Sequence, residues 1–157
     1  MSQHPVTMVG KKMLDDELES LIKNDREEIK IAIAEAREHG DLKENAEYHS
    51  AKEKQSHIEG RIAELQAKLA AAKVVDVSNV SNDKIVFGAT VTIINAETEE
   101  TKTLQIVGED EAPTSANKIS YSSPLGKALI GKEEGDEVIV KAPKGDVVYE
   151  VESFEYK

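Results

Sequence analysis

The stretch from Glu44 to Ala72 constrains the chain most. Its seam positions are Glu44, Tyr48, Ala51, Gln55, Ile58, Ile62, Leu65, Leu69 and Ala72, spaced by alternating steps of four and three. Such spacing holds one side of a helix against a partner over about four heptads. A matching stripe precedes it. In the Pro-free run Met8 to Glu38, the residues Leu14, Leu18, Leu21, Asp25, Ile29, Ala32 and Ala36 share one face. Thr7 is placed to cap that helix at its start. His39 suits its last turn, and Gly40 suits the left-handed position just beyond.

A tight connection from Gly40 to Glu44 forces the two helices to be antiparallel neighbours. Ala36 then lies near Tyr48, Ile29 near Gln55, Ile22 near Ile62 and Leu14 near Leu69. Each arm has about 30 residues, so the rod spans roughly 45 Å at about 1.5 Å per residue. Leu and Ile fill the base of the seam, whereas Ala, Gln, Asp and Tyr occupy it farther out. A thin distal coil suits insertion into a narrow space. Small side chains that merely let helices approach closely account for it equally well.

The heptads stop at Lys73, and Ser, Asn and Asp punctuate the chain through Lys84. The predicted organisation is an antiparallel coiled coil over 1–75, a linker over 76–84 and a second domain over 85–157. The second domain reads as β-rich runs: Ile85 to Ile94 with Gly88 as a bulge, Thr101 to Val107, and Lys118 to Ser122. Glu137 to Ala142 and Val147 to Phe154 form a hairpin around Pro143-Lys144-Gly145-Asp146. One short helix, Leu125 to Ile130, is capped by Ser123, begins with Pro124 and stops at Gly131. The expected fold class is therefore α+β, with a small antiparallel sheet around that helix.

Composition narrows the function. The 157 residues include no Cys, which excludes disulfides, thiolate nucleophiles and Cys-based zinc sites. No run of about 18 apolar residues or signal-like segment occurs, so a soluble, cytoplasmic protein is expected. The net charge of −11 argues against simple duplex-DNA binding. Residues 1–75 hold 12 basic and 15 acidic side chains, and residues 76–157 hold 8 and 16. Any nucleic-acid contact therefore belongs to the first half. The second half contains none of the four His and shows no catalytic constellation. Its loop Glu109-Asp110-Glu111 reads as solubilising.

At the reversal, Asp41-Leu42-Lys43-Glu44 fits a capping box, in which Asp41 is the N-cap and Glu44 reaches back. Two carboxylates three residues apart at a helix start also share a face, which suits a Mg²⁺ ion that keeps positions for water and phosphate. Glu47 continues that face, and Arg37, Lys43 and Lys52 are near enough to meet a phosphate backbone. Both readings stand on the local pattern. On an exposed tip, two carboxylates bind Mg²⁺ weakly and become useful only inside a partner that already holds a metal.

The stretch from Ala34 to His49 (AEAREHGDLKENAEYH) resembles the signature of the bacterial Gre transcript-cleavage factors. So do Ser123 to Lys132 (SPLGKALIGK) with Gly135-Asp136, and Phe87-Gly88-Ala89-Thr90-Val91. The resemblance implies an N-terminal coiled coil and a C-terminal FKBP-like domain that docks on bacterial RNA polymerase at the rim of its secondary channel. It further implies that the acidic tip enters the channel and stimulates the polymerase's own cleavage of backtracked nascent RNA. The factor would be an accessory protein acting as a monomer, with no cofactor of its own.

Residue by residue, Asp41 and Glu44 match the acidic pair that supports a Mg²⁺ shared with the polymerase active site. Asn45 and Tyr48 match tip-positioning residues. Arg37 and Lys52 match a basic patch facing the RNA 3′ end, and Ser120, Ser122, Ser123 and Pro124 match the segment around the polymerase contact. A channel-binding regulator that blocks without stimulating cleavage is the alternative. A stand-alone prolyl isomerase is a third reading, disfavoured by the scarcity of aromatic residues.

Overall fold

Thr7 closes a short strand and starts a helix. Its Oγ1 accepts the Gly10 N–H at 3.0 Å, the cap geometry expected from the sequence. The computed structural model describes residues 4–41, 44–77 and 83–156. The elements run β1 (His4–Thr7), α1 (Met8–Ser20), a π-helical turn (Leu21–Asp25), α2 (Arg26–Arg37), α3 (Ala46–Ala71) and β2 (Ala72–Val75). They continue with β3 (Thr90–Asn95), β4 (Thr101–Val107), a 3₁₀ turn (Ala112–Thr114), β5 (Lys118–Ser120), α4 (Pro124–Leu129), β6 (Glu137–Ala142) and β7 (Gly145–Glu155). The fold is α+β, with a helical N-terminal region and a C-terminal sheet.

The chain forms two compact units. One is Lys12–Ala71, and the other combines Ser2–Lys11 with Ala72–Lys157. The sequence placed 1–75 together. The difference arises because β1 and β2 pair in parallel, Thr7 beside Val75, which joins the first strand to the sheet unit. Lys73 to Val75, assigned to the end of the coiled-coil domain, is therefore strand, and residues 78–82 of the expected linker lie outside the described residues.

In the helical unit, Ile29 and Ile33 of α2 pack with Ile58 and Ile62 of α3. Two ion pairs flank this core: Arg26 holds Glu59 through two bonds of 2.9 and 2.8 Å, and Arg61 holds Glu17 through two of 2.6 and 2.9 Å. Forked Arg–carboxylate pairs fix geometry as well as sign. The structure departs from the expected stripe at its middle. A π-helical turn occupies Leu21–Asp25, Asp25 is half-buried, and Ile33, absent from the stripe, is buried one turn beyond Ile29 on the same face of α2. No helix among the described residues is long and apolar enough to cross a membrane.

The sheet unit has strand order β5-β4-β3-β7-β6. Ile85, Val91, Ile93, Ile106, Leu129, Val138 and Val151 form its core, with α4 packed against it through Leu125, Ala128 and Leu129. Most pairs are antiparallel, but β4 and β5 are parallel, contrary to the all-antiparallel expectation. The 3₁₀ turn lies on the crossing that lets β5 return beside β4 in the same direction. The first candidate strand is shorter than expected, because Phe87-Gly88 form a turn and Gly88 has φ +93°. The bulge falls instead between Thr92 and Ile93.

Glu111 is 2% exposed, not part of a solvated loop. It accepts from Thr7 Oγ1 and from Lys118 Nζ at 2.8 Å. This buried triad fastens the first strand to the sheet unit. Gly126 is fixed by contact rather than conformation: a Cβ there would lie 2.2 Å from the Ser120 carbonyl oxygen.

Glu111→Ala leaves the Lys118 ammonium without its buried partner and should lower stability by about 3 kcal/mol in urea melts. Gly126→Ala should cost about 3 kcal/mol through backbone displacement. The arm responds to acid differently. The hydrogen bond from Arg61 holds the Glu17 carboxylate below its usual value of 4.5. Its contribution is therefore complete above that value and is lost as pH falls through the lowered one. Glu17→Gln should flatten the acid limb of the arm's helix-melting curve below about pH 4.5, as read by circular dichroism.

Candidate functional site

The reversal between α2 and α3 is built around Asn45. Its Nδ2 donates to the Ala36 carbonyl at 2.5 Å, and its Oδ1 accepts the Tyr48 N–H at 3.0 Å. One amide thus uses both of its functions, satisfying a carbonyl near the end of α2 and an orphan N–H at the start of α3. Gly40, at φ +113°, makes the turn a residue with a Cβ would resist.

Asn45, not Asp41, is therefore the side-chain cap of α3. The helix starts at Ala46, several residues later than the capping box requires. Leu42 and Lys43 of the expected Asp41–Glu44 box lie outside the described residues. A signal for the true cap was in the sequence: Asn is as good an N-cap as Asp, and Asn45 precedes an uninterrupted helical pattern.

The remaining tip residues surround this anchor. Asp41 and Glu44 are exposed on the loop. The Arg37 guanidinium lies 5.8 Å from the centre of the half-buried Tyr48 ring, within cation–π range. Tyr48 also meets His49 edge to face at 5.6 Å. His39 Nε2 approaches Glu47 at 3.6 Å, and the exposed Lys52 donates to Gln55 at 3.3 Å. Arg37, Asn45 and Tyr48 are thus one connected group, whereas Lys52 stands one turn farther along α3. Among the described residues, no group of three or more His, Asp or Glu side chains converges as metal ligands.

In the sheet unit, Ser120, Ser122, Ser123 and Pro124 form a single turn between β5 and α4. Ser123 Oγ donates to the Ser120 carbonyl at 2.7 Å and accepts the Gly126 N–H at 3.1 Å, the predicted N-cap. Ser120 and Ser122 hydroxyls lie 2.7 Å apart, and the Ser122 N–H donates to Ser120 Oγ at 3.1 Å. Pro124, the first residue of α4, is exposed beside them.

A helical arm with a pinned acidic reversal, on a chain that also builds a small α+β unit with an ordered serine turn, defines a two-unit factor with separate polar surfaces. Residues 4–74 match the family model described as transcription elongation factor, N-terminal, and residues 80–156 that described as transcription elongation factor, GreA/GreB, C-terminal. The chain belongs to the GreA/GreB transcription elongation factor family. It is 55% identical to transcription elongation factor GreA of Francisella philomiragia over 98% of this chain and 96% of that one. It is 54% identical to GreA of Francisella tularensis subsp. novicida over the same shares. Among solved structures, it is 28% identical to GreA factor homolog 1 of Thermus thermophilus, covering 98% of this chain and 99% of that one with a TM-score of 0.44.

Asn45→Ala should lower the arm's stability by about 1–2 kcal/mol and speed amide exchange at Tyr48. Asn45→Asp keeps the acceptor for the Tyr48 N–H but has no donor for the Ala36 carbonyl. It should fall between Ala and the parent in thermal melts, and equal loss in both variants would mean that only the Ala36 bond matters.

Proposed function

We propose that the chain is an accessory transcription elongation factor. It binds bacterial RNA polymerase at the secondary channel and stimulates the polymerase's own cleavage of nascent RNA at the 3′ end of backtracked complexes. The observation that carries this reading is the Asn45-pinned reversal, which presents Asp41 and Glu44 on an exposed loop in a chain of the GreA/GreB family. The helical arm acts as an antiparallel coiled coil that reaches into the channel. The sheet unit acts as an FKBP-like docking domain through Ser120, Ser122, Ser123 and Pro124. The factor works as a monomer in the cytoplasm.

Asp41 and Glu44 fit a Mg²⁺ shared with the polymerase. They are hard oxygen donors, and only two of them leave most of the coordination to water and phosphate. When bound there, the ion supplies charge stabilisation and an activated water for in-line attack on a phosphodiester. The chain's own contribution is placement. Asn45 fixes where the carboxylates emerge, and Tyr48 braces Arg37, whose charge with that of Lys52 attracts the extruded RNA backbone. The polymerase channel excludes the water that an exposed tip cannot.

Asp41→Asn and Glu44→Gln should each reduce RNA 3′-fragment release from a backtracked complex to the polymerase's background rate while leaving polymerase binding intact. Cleavage at the parent rate by either variant rejects the metal role. Absence of any short RNA fragment with the unaltered protein and Mg²⁺ favours the blocking alternative.

A further inference from the structure

The serine turn is not self-sufficient. Ser122 Oγ donates to Glu109 Oε1 at 2.7 Å, from a residue thirteen positions earlier in the loop after β4. The same hydroxyl meets Ser120 Oγ, which also receives the Ser122 N–H. Glu109 therefore ends a chain of hydrogen bonds that runs through both serines. Its carboxylate is exposed, yet it is tied to one partner on a different strand connection. The neighbouring Tyr121 ring packs edge to face with Phe87 at 5.7 Å. Burial and the nearby Glu109 charge hold the Tyr121 phenol above its usual value.

A hydroxyl can rotate, so Ser122 by itself does not define one surface. An ionised acceptor makes a stronger bond than a neutral one and orients the donor. With Glu109 in place, the Ser122 hydroxyl is directed toward the β4–β5 side, and Ser120 accepts from the turn rather than from solvent. The cost of ordering the turn is then met before a partner arrives, which favours affinity through pre-organisation.

We propose that Glu109 is a positioning residue for polymerase docking, holding the Ser120–Pro124 turn in its binding conformation through Ser122. This rests on the docking role assigned above to that turn. It adds a residue from outside the turn and gives it a role separate from the acidic tip.

The test uses the full chain and polymerase core enzyme. Glu109→Ala should weaken polymerase binding about tenfold, equivalent to about 1.4 kcal/mol, and raise the factor concentration for half-maximal RNA cleavage equally. The maximal cleavage rate at saturating factor should stay unchanged, as should the thermal midpoint. Glu109→Gln keeps an acceptor oxygen and should restore most of the affinity. Ser122→Ala should weaken binding to the same degree, and the double variant should be no weaker than either single one. Parent-like affinity in Glu109→Ala overturns the proposal. So does a Gln variant as weak as Ala, which marks a direct charge contact, or an additive double variant. Pro124→Ala separates the two levels. If it weakens binding and Glu109→Ala does not, only the positioning inference fails. If none of the variants weakens binding, the docking role of the turn fails with it.

Discussion

The arm depends on a narrow apolar contact among Ile29, Ile33, Ile58 and Ile62. Leu14 and Leu65 are also buried in the helical unit, and the outer surfaces are dominated by charge. Apolar burial at about 25 cal/mol per Å² stabilises without direction, so a small core of this kind leaves register to other groups. The two forked Arg–Glu pairs supply that register, because each joins positions that must stay level across the seam. Exposed pairs of this sort are worth less than about 1 kcal/mol each, and their value here is alignment more than stability. The tip inherits its placement from that alignment, and Asn45 then converts it into a defined turn.

The two polar surfaces follow one design with different materials. At the tip, a neutral amide bridges two helix ends. In the serine turn, hydroxyls bridge a strand end and a short helix. Both pin backbone that would otherwise expose unpaired groups, and both leave neighbouring side chains open to a partner. The Glu111 triad is different in kind. It is buried, and its ion pair gives the first strand a unique seat against the sheet unit at the cost of desolvation.

Much of this was legible in the sequence, and the failures have physical causes. The helical arms, the Gly40 reversal, the short helix capped by Ser123 and the strands Thr101–Val107 and Glu137–Ala142 follow from periodicity and cap chemistry. The π-helical turn did not, because an inserted residue shifts phase without any distinctive side chain. The β1–β2 pairing joins segments 68 residues apart, His4 with Ala72, and no local pattern announces so distant a partner. Asp41 and Asn45 are equally good caps by type, so only the backbone path could choose between them. Glu111 looked solvated because it sits in an acidic run, while its cation, Lys118, comes from the following strand.

The short parallel ladder has a consequence for how the chain is assembled. Thr7 leaves β1 into the first helix, and Ala72 enters β2 from the last. Because these strands are adjacent, the segment 8–71 departs from and returns to neighbouring points of one ladder. In topological terms it is an insertion between two strands of the sheet unit. Insertions whose ends lie close together are exchanged with little damage to the host. The arm is thus a cassette: its length, charge or tip chemistry can change while the ladder that receives it stays the same.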